Sequence, residues 1–192
     1  VKRWFRERFE RNIDEESFTC VGIGDMSGDV FGNGMLLSRK TRLIAAFDHR
    51  DIFVDPNPDE EISYQERKRL FDLPRSSWQD YDREKISAGG GVFSRSQKVI
   101  NLSDEAAQAI GFSKKSGTPF EIMRAILQAD IDLLWFGGIG TYVCASGESE
   151  IQIGDRANDA VRINGKQLRA KIVAEGANLG MTQKGRVEYS LC

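Results

Sequence analysis

The chain has 192 residues, of which 40% are apolar and 29% are charged, as expected of a domain with a proper hydrophobic core. Its 27 basic and 29 acidic residues give a formal net charge of -2, which excludes the basic excess typical of nucleic-acid-binding domains. No apolar run approaches the ~18 residues that span a bilayer, and the first residues do not resemble a signal peptide. We therefore expect a cytoplasmic protein with neither a nucleic-acid partner nor a membrane partner.

The cysteine and histidine content argues against a metal centre. Cys20, Cys144 and Cys192 lie far apart and form no Cys-x-x-Cys pair, and His49 is the single histidine. Neither a zinc site nor a disulfide framework can be read from this spacing. We predict three free thiols in a reducing compartment and no metal site.

The first half of the chain alternates between patterns typical of helices and of strands. Trp4, Phe5 and Phe9 recur with a helical period, which predicts an amphipathic leading helix that we expect to belong to a preceding domain. Runs of β-branched and aromatic residues predict strands, and a Ser-x-x-Glu capping box at Ser63 predicts a helix start. In chain order the elements are a helix at 1–11, a strand at 17–22, a helix at 28–39, a strand at 41–47 and a helix at 63–71.

The second half combines an irregular stretch, residues 72–102, with capped helices and buried strands. Ser103 predicts one helix start, and the capping box Thr118–Glu121, with proline at the first helical position, predicts another. The elements are a short strand near 98–100, helices at 103–110 and 118–129, a strand at 131–136, a loop over 144–166 and a strand at 169–174. This alternation predicts an α/β fold, a Rossmann-like, doubly wound, mostly parallel sheet with helices on both faces.

The segment Gly22-Ile23-Gly24-Asp25-Met26-Ser27-Gly28 follows a predicted strand and opens a predicted helix. A dinucleotide-binding turn needs glycines for the tight bend, for approach of the pyrophosphate and for close helix packing. The motif is one residue longer than G-x-G-x-x-G, so Ser27 or Gly28 takes the third role. We expect the two loop aspartates to point away from the phosphates. Cofactor contacts are predicted at Gly22, Gly24, Asp25, Met26, Ser27, Gly28, Asp29 and Val30.

Asp48 lies 20 positions after Gly28, at the end of the next predicted strand. A carboxylate there accepts hydrogen bonds from the adenosine ribose and repels a 2′-phosphate, which favours NAD over NADP. His49, also predicted to contact the cofactor, and Arg50 are cations that could accommodate a phosphate, so both cofactors stay open. A metal site that combined Asp48 with the two loop aspartates would need a different backbone path.

The segment Gly137-Gly138-Ile139-Gly140 also follows a predicted strand. Ligands of doubly wound sheets bind beyond the carboxyl ends of the strands. We therefore predict that Gly137, Gly138 and Ile139 line the other half of the cofactor. A plain tight turn is the alternative.

Several blocks of sequence resemble the very large bacterial NAD-specific glutamate dehydrogenases, in order along nearly the whole chain. They are Val21–Met35, Ala45–Arg50, Asp55–Asp59, Gly89–Arg95, Trp135–Tyr142 and Ala170–Thr182. The resemblance implies oxidative deamination of L-glutamate to 2-oxoglutarate and ammonia, with hydride transfer to NAD. It also implies that Asn178 lies near the nicotinamide ribose.

In that family the substrate-binding lysines and the proton-transferring aspartate lie upstream, and nothing in 1–192 matches them. We therefore predict no catalytic residue in this chain. We expect a single NAD-binding domain, a fragment of a larger homo-oligomeric enzyme whose missing domain binds glutamate. Two alternatives are an S-adenosylmethionine-dependent methyltransferase, which also pairs a glycine loop with an acid, and a non-enzymatic NAD-sensing domain.

Overall fold

The computed structural model describes residues 1–27, 30–138, 140–177 and 179–192. Its strands are β1 (Phe18–Ile23), β2 (Thr41–Phe47), β3 (Asp51–Val54), β4 (Gly91–Ser94), β5 (Ile100–Asn101), β6 (Ser116–Gly117), β7 (Leu133–Phe136), β8 (Val143–Cys144), β9 (Ile163–Asn164) and β10 (Ile172–Glu175). Its helices are α1 (Lys2–Phe9), α2 (Val30–Met35), α3 (Glu60–Asp72), α4 (Asp104–Ala109), α5 (Pro119–Leu127), α6 (Glu150–Ile153) and α7 (Gln183–Ser190).

The main sheet has the strand order β10-β7-β1-β2-β3-β4. β10, β7, β1 and β2 are parallel, whereas β3 and β4 extend the sheet as antiparallel strands. β1 lies between β2 and β7, so the chain passes from one side of β1 to the other between these two strands. Such a switch point opens a crevice at the carboxyl ends of the strands. The predicted α/β fold with a mostly parallel sheet is confirmed.

Hydrophobic residues cover both faces of the sheet because side chains alternate along each strand. In β1, Val21 and Ile23 belong to the core beneath α4 and α5, and Phe18 and Cys20 belong to the core beneath α1, α2 and α3. The two buried layers explain why the central strands read as continuous apolar runs in the sequence.

The leading helix packs on this core. Phe5 of α1 is fully buried, and its ring centroid lies 5.5 Å from that of Phe18, whereas Trp4 is 58% exposed. The amphipathic pattern therefore identified a real helix. Its assignment to a preceding domain stays a prediction.

The predicted start of α3 at Ser63 is wrong. The helix begins at Glu60, and the Asp59 carboxylate caps it by accepting the N–H of Ile62 at 2.9 Å. Ser63 lies one turn inside the helix, where its buried hydroxyl accepts a hydrogen bond from Arg67. Acidic residues in the first turn favour the earlier start, because they interact well with the helix N-terminus.

Several short elements were missed. β3 lies between the predicted strand at 41–47 and the predicted helix at 63–71, and it pairs with β4, which lies in the stretch predicted to be irregular. β8, β9 and α6 overlap the loop predicted at 144–166. Elements this short carry too few residues for a period to show. Within the described ranges, no helix has the length and apolar character needed to cross a bilayer.

Candidate functional site

Backbone hydrogen bonds at the turn after β1 link the carboxyl ends of three strands. Gly24 has φ 139°, a conformation that favours glycine, and its N–H donates to the carbonyl of Phe47 at 2.9 Å. Gly137, which follows β7, donates its N–H to the carbonyl of Ile23, also at 2.9 Å. The chain therefore bends at the point where the carboxyl ends of β1, β2 and β7 meet.

Close packing of α2 against β1 depends on glycines. A Cβ atom on Gly22 would lie 2.1 Å from Cε2 of Phe31, and one on Gly32 would lie 2.4 Å from the carbonyl oxygen of Met26. Ser27 donates its N–H to the Asp25 carboxylate at 2.7 Å, which shapes the turn between them. The sequence analysis assigned the close packing of the helix to Ser27 or Gly28. In the described part of the loop, Gly22 and Gly32 are residues that allow this packing.

Asp48 closes the turn between β2 and β3. Its Oδ1 atom accepts the N–H groups of Arg50 at 2.7 Å and Asp51 at 2.8 Å. Its Oδ2 atom is buried and has no hydrogen-bond partner among the described residues. Arg95, directly after β4, donates from Nη1 to the carbonyl oxygen of Asp48 at 2.6 Å. The carboxylate is thus held in place with one oxygen left for another donor.

These strand ends border a cleft of about 500 Å³ at the carboxyl edge of the sheet. The β1 turn and Asp48 contribute to its lining, and so do residues that follow β7. Its lining residues are Ile23, Gly24, Asp25, Asp48, His49, Arg95, Gly138, Tyr142, Ala157 and Asn158. In the described part of the chain, no group of three His, Cys, Asp or Glu side chains is placed to hold a metal ion.

A buried aromatic cluster lies next to the cleft. The Tyr142 ring stacks on Phe136 with centroids 6.3 Å apart, and it meets Phe47 edge to face at 5.5 Å. Phe47 and Phe136 are the last residues of β2 and β7. The buried cluster therefore packs the strand ends beneath the cleft, and Tyr142 is its member on the lining.

The geometry agrees with a comparison against protein families. A family described as "Bacterial NAD-glutamate dehydrogenase, catalytic domain" matches residues 1–192. The chain belongs to this family. The resemblance noted in the sequence is therefore confirmed. The family's description covers more than the cofactor domain that the sequence predicted.

Curated relatives in this glutamate dehydrogenase family are similar over almost the entire chain. NAD-specific glutamate dehydrogenases from Mycobacterium tuberculosis, Halomonas elongata and Pseudomonas aeruginosa are 58%, 54% and 53% identical, covering 100%, 98% and 100% of the chain. The chain spans 12% of the length of each of these relatives.

The cleft of this glutamate dehydrogenase family member brings together only some of the predicted contacts. Those on its lining are Gly24, Asp25, Asp48, His49 and Gly138. Outside the lining are Gly22 and Gly137, which pack against Phe31, as well as buried Met26, half-buried Ser27 and exposed Val30. The predicted contacts Gly28, Asp29, Ile139 and Asn178 lie outside the described residues.

Five residues of the cleft were not among the predicted contacts, namely Ile23, Arg95, Tyr142, Ala157 and Asn158. Arg95 and Tyr142 end two of the blocks that resemble the family, a signal that could have identified them. Ala157 and Asn158 lie in a stretch without periodicity or motif. Only the folded chain places them in the same cleft as Asp48.

Proposed function

We propose that this chain is the NAD-binding part of the catalytic domain of a glutamate dehydrogenase. The reaction is the oxidation of L-glutamate with NAD and water to 2-oxoglutarate, ammonia and NADH. The observation that carries this proposal is the glycine turn of β1, which opens onto a cleft at the switch point of a parallel sheet. The identity of 53–58% with enzymes named NAD-specific glutamate dehydrogenases supports the choice of reaction.

The residues present suit an adenosine ribose. The buried Oδ2 atom of Asp48 has no partner among the described residues, and a ribose hydroxyl is a donor that would satisfy it. Gly24 has no side chain to obstruct a diphosphate approaching the β1 turn. Bound NAD supplies the hydride acceptor. The chain's own residues hold the cofactor at the edge of the sheet.

We further propose that the groups that bind glutamate and move its proton come from another part of the full-length protein. No residue of this chain matches the lysines and the aspartate that the family resemblance implies. The cytoplasmic location and the homo-oligomeric state of the enzyme stay predictions from the sequence.

The test is calorimetric titration of the full-length protein with NAD and with S-adenosylmethionine. We expect NAD to bind, S-adenosylmethionine to give no heat, and glutamate-dependent NADH formation to follow. Binding of S-adenosylmethionine alone would overturn the proposal in favour of a methyltransferase. Binding of NAD without turnover of glutamate would favour a sensing domain.

Asp48→Asn probes the ribose contact. An asparagine retains an oxygen for the amides of Arg50 and Asp51 but replaces the free carboxylate oxygen with a donor. We expect NAD affinity to fall roughly 10- to 100-fold, because a hydrogen bond to a charged group contributes about 1.5–3 kcal/mol. Asp104→Asn, at an exposed carboxylate on α4, is the matched control. Unchanged NAD affinity in the Asp48 variant would exclude the ribose role.

A further inference from the structure

The cleft that Asp48 lines is also lined by the buried amide of Asn158. This residue is 9% exposed, and its Nδ2 atom donates to the Asp155 carboxylate at 2.8 Å. A carboxylate oxygen accepts hydrogen bonds, so the nitrogen of the amide must face Asp155. The carbonyl oxygen Oδ1 is then the part of the amide that remains for a ligand, and no described residue bonds to it.

Asp155 is itself held rigidly. Its Oδ2 atom also accepts the N–H of Thr141 at 2.7 Å, and its backbone carbonyl accepts a hydrogen bond from Arg162 at 2.7 Å. The Arg162 side chain is 1% exposed, and its Nε atom donates to the carbonyl of Thr141 at 2.9 Å. The buried guanidinium of Arg162 therefore joins Thr141 to Asp155, and Asp155 in turn holds the Asn158 amide in place.

The backbone packs closely against the Asn158 amide. Gly140 has φ 126°, and a Cβ atom there would lie 2.6 Å from the Asn158 amide nitrogen. Tyr142, which stacks on Phe136, lines the same cleft. A fixed hydrogen-bond acceptor on the lining of a cleft can read the edge of a nucleobase.

Adenine is the base that fits the acceptor. Its exocyclic amine donates hydrogen bonds, and asparagine is a common partner of that edge in nucleic-acid recognition. In the proposed function, Asp48 binds the adenosine ribose, to which the base is bonded directly. The base would therefore lie in the same cleft, whose lining also includes Asn158.

We infer that Asn158 is a specificity-determining residue that reads the adenine amine of NAD through its Oδ1 atom. Asp155 and Arg162 are positioning residues. This inference rests on the proposed function, because it requires that a dinucleotide occupy the cleft.

The test compares NAD with nicotinamide hypoxanthine dinucleotide in calorimetric titrations of the full-length protein. The hypoxanthine base carries a carbonyl oxygen where adenine has its amine, and this oxygen would face the Asn158 carbonyl. We expect wild-type protein to bind NAD about tenfold more tightly than the hypoxanthine analogue. We expect Asn158→Ala to lose this preference mainly by weakening NAD, and Asn101→Ala, at an exposed asparagine on β5, to retain it.

The comparison between ligands in wild-type protein needs no variant, so it stands even if Asn158→Ala unfolds. Equal affinity of wild-type protein for the two dinucleotides would overturn the inference while leaving the proposed function intact. A preference that survives in a folded Asn158→Ala variant, as judged by its thermal melt, would overturn the role of this residue. Absence of binding by both dinucleotides would overturn the proposed function together with the inference.

Discussion

The indole nitrogen of Trp78 donates a hydrogen bond to the carbonyl oxygen of Gly24 at 3.1 Å, across 54 positions of sequence. The indole is 1% exposed, stacks on Phe53 with centroids 4.8 Å apart and meets Phe31 edge to face at 6.0 Å. Trp78 thus supports the turn after β1, although it lies in the stretch that the sequence predicted to be irregular.

Trp78→Phe should therefore lower the free energy of unfolding by roughly 1–3 kcal/mol. The variant leaves the buried carbonyl of Gly24 without this donor and leaves a small void, while most of the aromatic stacking remains. Urea denaturation measures the change, and NAD titration should show weaker binding. Trp4→Phe, at a 58% exposed site on α1, should change neither quantity. Equal stability of the Trp78 variant and wild type would contradict the bracing role.

Gly22→Ala should destabilise the protein by about 1–3 kcal/mol or more. A Cβ atom would lie 2.1 Å from the Phe31 ring, which is fully buried and cannot move without displacing α2. Gly147→Ala is the matched control, because a Cβ atom there meets no atom within 4 Å. The melting temperatures of the two variants should differ clearly. Indistinguishable melting temperatures would show that the Phe31 ring moves aside at little cost in stability.

Glu66 should make stability depend on pH in the acid range. Burial raises the pKa of its carboxyl group, but hydrogen bonds from Arg69 at 2.6 Å and Lys85 at 2.8 Å outweigh this effect and lower it from 4.5 to about 2. The resulting stabilisation is complete above about pH 5 and is lost as pH falls towards 2. It amounts to roughly 2 kcal/mol at neutral pH.

The pH dependence can be isolated by comparing wild type with Glu66→Gln in urea denaturation between pH 7 and pH 3. The stability difference should be largest near neutrality and shrink as pH falls, because protonated glutamate resembles glutamine. Glu84→Gln, at an exposed site nearby, should follow the wild-type curve. A constant difference between wild type and Glu66→Gln at all pH values would contradict a lowered pKa at Glu66.

The three cysteines should differ in reactivity. Burial raises the pKa of Cys20 to about 12 and also raises that of Cys144, whereas Cys192 is exposed. Since thiolate is the reactive form, iodoacetamide at pH 8 should modify Cys192 in the folded protein and the other two only in denaturant. Peptide mass spectrometry gives the site of each adduct, and Cys192→Ser should remove the native reaction. Modification of Cys20 at the rate of Cys192 would contradict its burial.

Local patterns in the sequence determined the central architecture. Apolar runs predicted β1 and β2 to within one residue at each end, and the caps at Ser103 and Thr118 are confirmed by hydrogen bonds to Ala106 and Glu121. These features depend on residues a few positions apart, whose side chains either alternate across a strand or bond the first turn of a helix. The order of strand, glycine turn and helix likewise pointed to the β1 turn as part of the site.

Only the tertiary structure decided which side chains surround that turn. Trp78 bonds to Gly24 from a stretch without periodicity. Asn158 lies at the cleft because its amide is held by Asp155, which is bonded to buried Arg162. Asp48 was predicted from its place after β2, but the use of one of its oxygens in the β2–β3 turn follows from a strand that the sequence did not reveal. Such contacts join residues far apart in the chain, and their free energy depends on burial and geometry that exist only after the sheet has formed.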